Sequence, residues 1–385
     1  MGQRLESLDG LRWLASFQVV LCHLRDWWDS LYWGSVWTQF FFLLSGFVLS
    51  YAEMTRADAG SRAVPVLSRW EYTQRRLRNL YPFYLAVLLI SMIQWSHSWF
   101  DWQTLVLNLT LLQAWIPIFD HGFHGTWPPT ALRWVPVAWF LSVLLFYWQL
   151  VRPAAYLAQQ FSLRMALLSL LGLWLWTLVV FLCWDLGSSY GQSVFTMTAL
   201  KFGPAGYLHV FFSGVVLARV FICCQGEEPH RLKLILGCGS PIALGCYLCL
   251  LYIFAADGPI FYLCHNGGIL PLMCLLLLAC ASELDPLVPL LKSPMGLVLG
   301  RISYSQYLIQ TNLLSAMREH LEERLGQCFI PVYLLTLFLV AYLFEAMIST
   351  LLRGVLDAAG HPSSPWPCEA STSSEDGSES DLCRA

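Results

Sequence analysis

Apolar runs free of charge recur along almost the whole chain, at 36–52, 79–100, 102–119, 134–151, 165–184, 202–218, 234–256, 258–282, 302–317 and 325–344, separated by short charged segments. A membrane-crossing helix needs about 20 mostly apolar residues. With the charge-flanked opening stretch LRWLASFQVVLCHL, the runs make eleven candidate spans. The period-two alternation of a membrane barrel is absent. The pattern predicts an all-α fold, a polytopic transmembrane helical bundle.

Composition agrees with the pattern. Hydrophobic residues make up 57% of the chain and charged residues 12%, a balance that excludes a water-soluble domain. The 13 Cys fall mainly inside the runs, where they act as small apolar residues, and no paired framework is visible. No nucleic-acid partner is expected; membrane lipids are.

Charge placement selects a topology, because Lys and Arg in short loops favour the cytoplasmic side. The segment between Glu53 and Leu80 carries Arg56, Arg62, Arg69, Arg75, Arg76 and Arg78 against Asp58 and Glu71, which places it in the cytoplasm with the N-terminus. If 102–119 dips into the membrane without crossing, Arg152, Arg164, Arg219, Arg231, Lys233, Lys292, Arg301 and Arg353 also face inward, and Arg133, Lys201, Arg318 and Arg324 are the exceptions. The expectation is therefore about ten spans plus a re-entrant segment, with 97–135 as the largest outward segment. The opening helix has no small-residue cleavage site and is expected to stay as an anchor. Asn108-Leu109-Thr110 matches a glycosylation triplet inside an apolar run, a poor context for modification. Residues 1–352 form the membrane domain; 353–385, rich in Ser and acidic residues, read as a disordered cytoplasmic tail.

Arg12 and His23 lie eleven residues apart in the opening run. In a helix that spacing leaves them about 20° apart in azimuth and about 16 Å apart along the axis. One face would carry a fixed cation and a titratable imidazole at different depths. Intramembrane ionisable groups are costly and point to function. In QFFFLLSGFVLSY, Ser45-Gly46 interrupts an aromatic run; close helix packing explains the pair as readily as chemistry does. In EYTQRRLRNLYPFY, Arg75, Arg76 and Arg78 precede Tyr81 and Pro82 at an expected helix start. Topology or lipid attraction accounts for such a cluster, and so does a phosphate clamp built on the planar guanidinium fork.

Taken in order, these segments resemble the membrane-bound acyltransferase-3 family. The matching elements are Leu8-Asp9-Gly10-Leu11-Arg12 with His23, then Phe41-Phe42-Leu43-Leu44-Ser45-Gly46-Phe47, then the RxxR pair Arg75 and Arg78, with weaker echoes through LGRISYSQYLIQ at 299–310. The resemblance implies a multi-span enzyme that moves an acyl group, acetyl foremost, from cytoplasmic acyl-CoA onto a hydroxyl of a carbohydrate or lipid-linked acceptor at the far face. It implies acyl-CoA as co-substrate and no tightly bound cofactor. The chain departs from the family pattern at Leu144, Gln310 and Ala346, where many relatives carry Glu, His and Pro.

Histidine suits a general base for an alcohol nucleophile, since its pKa lies near ambient pH. On this reading His23 deprotonates the acceptor, Arg12 aligns the donor, and Arg75, Arg78 and Arg76 hold the phosphates. Ser45 and the Gly46 backbone face the developing oxyanion, and Asp9 supports the opening motif. A covalent acyl-enzyme on His23 or Ser45 is the alternative chemistry. His209 and His265 are candidate acceptor-site groups, an interhelical hydrogen bond being the plainer role for His209. Glu345 is expected to balance an Arg. His121 and His124 lack a third ligand, so no metal site is expected. Trp127, Trp134 and Trp139 suit an interfacial belt. Two other function classes stay open: a carrier of an anionic or lipidic solute, and a silent scaffold.

Overall fold

The computed structural model describes residues 5–58, 68–94, 102–115, 132–189, 201–225, 236–255 and 258–358. Among these no strand occurs. The helices are α1 (Ser7–Cys22), α2 (Thr38–Asp58), α3 (Arg69–Gln94), α4 (Trp102–Leu109), α5 (Trp139–Gln159), α6 (Leu163–Ser189), α7 (Leu208–Cys224), α8 (Gly239–Ile253), α9 (Pro259–Leu263), α10 (Leu270–Ala281), α11 (Val288–Leu291), α12 (Pro294–Leu325) and α13 (Phe329–Ala358). The tail from 359 lies outside the described residues, and α13 runs past the 352 boundary expected for the membrane domain.

Among the described residues five stretches are long and apolar enough to cross a membrane: Asp29–Arg56, Arg69–Gln94, Pro136–Gln159, Leu163–Cys183 and Pro294–Gly354. A sixth is the pair Pro259–Gly268 and Leu270–Ala281, bent by 45°. This is a membrane protein by those helices. The expected ten spans are not reached by length and composition among the described residues, because α1 and the runs at 202–218 and 234–256 form helices of only 16, 17 and 15 residues. A 17-residue helix is about 26 Å long against a hydrocarbon core of about 30 Å. The last stretch is itself an antiparallel hairpin: Tyr333 Oη on α13 donates to the Gln310 carbonyl on α12, and Ser305 Oγ on α12 donates to Glu345 on α13.

Of the run at 102–119, residues 102–115 are described, as the eight-residue α4 and a turn in which Leu111 takes a φ of 57°. At 1.5 Å per residue, α4 covers about 12 Å and cannot cross. Its end is pinned by Tyr84 Oη, which donates to the Asn108 carbonyl, and by Ser142 Oγ of α5, which donates to the Leu111 carbonyl at 2.6 Å. Asn108 is buried, its side chain donating to the Thr104 carbonyl, so the glycosylation triplet is closed to modification.

α3 starts earlier than the sequence suggested. Ser68 Oγ accepts from the Glu71 amide while Glu71 accepts from the Ser68 amide, a reciprocal capping box that sets the helix start before Arg69. Arg75, Arg76 and Arg78 therefore ride on the first turns of α3, with Pro82 inside the helix rather than at its beginning.

α2 packs most extensively on α7. A Cβ on Gly46 would fall against the Phe211 carbonyl oxygen, and one on Gly214 against the Leu43 carbonyl oxygen. The two glycines let these backbones touch, which is how small residues act at membrane helix crossings. Phe42, Tyr147, Tyr207 and Phe211 fill the space above that crossing as a buried aromatic stack.

Candidate functional site along α1

α1 lies beside α12, and the two run in parallel. Arg12 Nη2 donates to the Gly300 carbonyl at 2.8 Å and Arg12 Nε to Ser303 Oγ at 3.0 Å, while Asp9 pairs with Arg12 at 3.4 Å. One turn on, Ser16 Oγ donates to the Ser303 carbonyl and Trp13 Nε1 to Gln306 Oε1. Farther along, Asp26, just beyond α1, pairs with Arg318 at 2.9 Å. Gly300 is required for this approach, since a Cβ there would stand 2.8 Å from the Asp9 backbone. Glu345 is held by Ser305 at 2.6 Å and Ser349 at 3.2 Å, within electrostatic reach of Arg12 and Arg301.

His23 closes the other end of α1 as its C-cap residue, half-buried, its backbone amide bonded to the Val20 carbonyl. Its ring makes no hydrogen bond among the described residues. Arg25, next along, lies over the Tyr32 ring at 4.8 Å, and Tyr32 stacks on Phe261 at 4.9 Å. That stack leads to the break between α9 and α10.

The break occupies Cys264–Gly268, where Gly267 takes a φ of 117° that only glycine adopts readily. Breaking a helix frees carbonyls, and a membrane interior demands that they be met. Three helices supply the donors: Gln39 Nε2 of α2 to Cys264 O at 2.7 Å, His209 Nε2 of α7 to Asn266 O at 3.0 Å, and Trp174 Nε1 of α6 to Gly268 O at 3.1 Å. Since a carbonyl only accepts, His209 carries its proton on Nε2, and its buried Nδ1 has no partner among the described residues. His265 Nδ1 sits 3.2 Å from Tyr207 Oη. A cavity of about 10 Å³, the size of one water, lies between Lys201, Phe261, Tyr262, His265 and Asn266.

The structure thus brings Arg12 together with Asp9, and His209 with His265. It does not join every candidate. Ser45 is half-buried in the middle of α2 and shares no hydrogen bond with His23. Gly46 lies within α2 with Phe211 of α7 packed against it, so the contact its structure shows is helix packing. Arg75 and Arg78 are exposed and form no ion pair with Arg12, whereas Arg76 and Arg152 flank the Tyr72 ring at 5.3 and 5.1 Å. Among the described residues no group of His, Cys, Asp or Glu could hold a metal. His121, His124 and Trp127 lie outside those residues. Sequence reasoning missed Gly300, Ser303, Gln306, Gln39 and Trp174 as partners. The signal was present in Ser303, Gln306 and Gln310, polar at helical spacing inside an apolar run.

Comparison with known proteins fits this arrangement. The acyltransferase-3 family model, described as an acyltransferase domain, matches residues 5–346. A curated relative, acyltransferase MdmB of Streptomyces mycarofaciens, is 32% identical over 135 residues, which cover 30% of this chain and 32% of the relative. The match thus spans about a third of that protein's length. No solved structure matches. From the motifs on α1 to Glu345 on α13, the chain belongs to the acyltransferase-3 family.

Proposed function

We propose that the protein is an integral-membrane O-acyltransferase that moves an acyl group, acetyl foremost, from acyl-CoA to a hydroxyl of a carbohydrate or lipid-linked acceptor. The observation that carries this reading is the asymmetry of α1: Arg12 is fixed in place near one end, and His23 stands at the other with its ring free among the described residues. The Arg12 end also gathers Arg152, Arg219 and the basic turns of α3, which by the positive-inside tendency faces the cytoplasm. Donor and acceptor then enter from opposite sides.

In the reaction, a neutral His23 nitrogen takes the acceptor hydroxyl proton as the oxygen attacks the thioester carbonyl. The C–O bond forms, the C–S bond breaks, and the leaving CoA thiolate recovers the proton from the imidazolium. General-base assistance of this kind contributes about 10²–10⁴-fold. Arg75 and Arg78, exposed on one face of α3, suit the donor phosphates, with Arg12 aligning the donor. An acyl-enzyme on His23 or Ser45 is the variant mechanism.

A carrier is the competing reading, favoured by one observation, the broken helix at 264–268, because transporters bind solutes at such breaks. Here the freed carbonyls are already capped by Gln39, His209 and Trp174. Purified protein incubated with labelled acetyl-CoA and mixed glycan or lipid acceptors tests the choice. Acceptor-dependent release of CoA supports the enzyme; solute uptake into sealed vesicles without CoA release supports the carrier.

A further inference from the structure

Two buried polar atoms on α12, one on Gln306 in the seam where α12 meets α1 and one a turn farther on at Gln310, lack partners among the described residues. Gln306 and Gln310 are each 0% exposed, and the bonds they do make fix which way each amide faces. Trp13 Nε1 donates to Gln306 Oε1 at 3.1 Å, which leaves Gln306 Nε2 as an unused donor. Gln310 Nε2 donates to the Tyr307 carbonyl at 3.1 Å, which leaves Gln310 Oε1 as an unused acceptor. The two side chains stand one turn apart on the same helix, with Cβ atoms about 6 Å apart. Buried polar groups are almost always satisfied, so an orphan donor beside an orphan acceptor argues for something that docks there.

Their level in the bundle narrows what docks. Arg12 meets Gly300 and Ser303, while Asp26 meets Arg318, so Gln306 and Gln310 lie between the levels of Arg12 and His23. Among the described residues, the hydrogen bonds between α1 and α12 stop at Gln306.

We infer that this seam seats the pantetheine arm of acyl-CoA, Gln306 Nε2 donating to an amide carbonyl and Gln310 Oε1 accepting from an amide N–H. The inference rests on the acyltransferase reading above. The arm carries two secondary amides, and each is costly to place in an apolar bundle unless its N–H and C=O are met. The seam offers one group of each kind, a match that a plain acyl chain could not use. The arm is extended and flexible, and the roughly 16 Å from Arg12 to His23 is comparable with its reach from phosphate to sulfur. Neither glutamine touches the reacting atoms, so both are positioning residues.

Gln306→Met and Gln310→Met keep the side-chain volume and delete the orphan atoms. Each is expected to raise the KM for acetyl-CoA about five- to tenfold, with kcat nearly retained. Calorimetric affinity for 3′,5′-ADP, a head group without the arm, should stay unchanged, whereas binding of pantetheine alone should be lost in the double variant. An unchanged donor KM in both variants of a protein that turns over overturns the seam site. So does equal loss of 3′,5′-ADP and pantetheine binding, which assigns the glutamines to folding. If the wild-type protein consumes no acetyl-CoA with any acceptor, the acyltransferase reading fails, and pantetheine binding, lost or kept in the double variant, still decides the seam.

Discussion

The two ends of α1 are built differently. At the Arg12 end the guanidinium meets a carbonyl, a hydroxyl and a carboxylate, and the backbones of α1 and α12 touch at Gly300. Toward the His23 end the His23 ring makes no hydrogen bond among the described residues, and a helix is broken between α9 and α10. Buried polar atoms without partners among the described residues occur toward both ends, Ser50 Oγ and Tyr72 Oη on the Arg12 side and Trp33 Nε1, Thr177 Oγ1 and His209 Nδ1 on the other, so they do not by themselves tell the ends apart. Arg12 is thus held on three sides, whereas the His23 ring is left free for the base role proposed for it, although both belong to one motif.

The sharpest way to break that contrast is His23→Ala. Transfer should fall by about 10²–10⁴-fold, while helical content by circular dichroism and the thermal midpoint stay at the wild-type values. Full turnover in this variant removes the chemical end altogether. Replacing Arg12 by Lys keeps the charge but loses the planar fork. It should lower stability and activity together, because it loosens α1 from α12.

Next in size is Gly300→Ala. Its Cβ would stand 2.8 Å from the Asp9 backbone, so α1 and α12 must part beside Arg12. Overpacking of this kind costs about 1–3 kcal/mol, read as a lower thermal midpoint. Gly172→Ala in α6, where nothing lies within 4 Å, is the control. It should be neutral or stabilising by about 0.5–1 kcal/mol, because alanine loses less freedom than glycine in a helix. If both variants behave alike, the close contact at the Arg12 end is not what holds it.

Smaller effects are expected at Arg75 and Arg78. Both are exposed on α3, so alanine there should leave stability unchanged and raise the donor KM about fivefold per residue, an effect that fades with added salt. A changed acceptor KM would move the clamp to the wrong substrate.

Much of this architecture is legible in the sequence, and the failures have physical causes. The apolar runs locate the helices because burial in lipid leaves few other ways to satisfy a backbone. They do not reveal length: 258–282 reads as one run, yet Asn266 and Gly267 break it, since Gly267 accepts a positive φ and side chains from elsewhere cap the freed carbonyls. The run at 102–119 stops after eight helical residues because Tyr84 and Ser142 bind its final carbonyls. Arg12 and His23 stand out in the sequence as ionisable groups in an apolar run. Their partners do not, because Gly300 and Ser303 lie almost the whole chain away. At Gly46 the packing reading that the sequence already offered is met by the contact with α7.

The smallest predicted effect separates packing from charge at the closed end. Lys292 Nζ lies 2.9 Å from Glu283 Oε1 on the connection between α10 and α12, and this hydrogen bond raises the lysine pKa above its ordinary value. A raised folded-state pKa contributes stability below the unfolded value, about 10.4, and loses it as pH rises through the folded value. At neutral pH the contribution is therefore fully present and constant. It is also small, because both groups are more than a third open to solvent and such exposed pairs are strongly screened. Lys292→Ala should shift the thermal midpoint far less than Gly300→Ala, with no pH dependence between pH 6 and 8 beyond that of the wild type. Equal shifts in the two variants would mean that charge, and not the contact of α1 with α12, closes the Arg12 end.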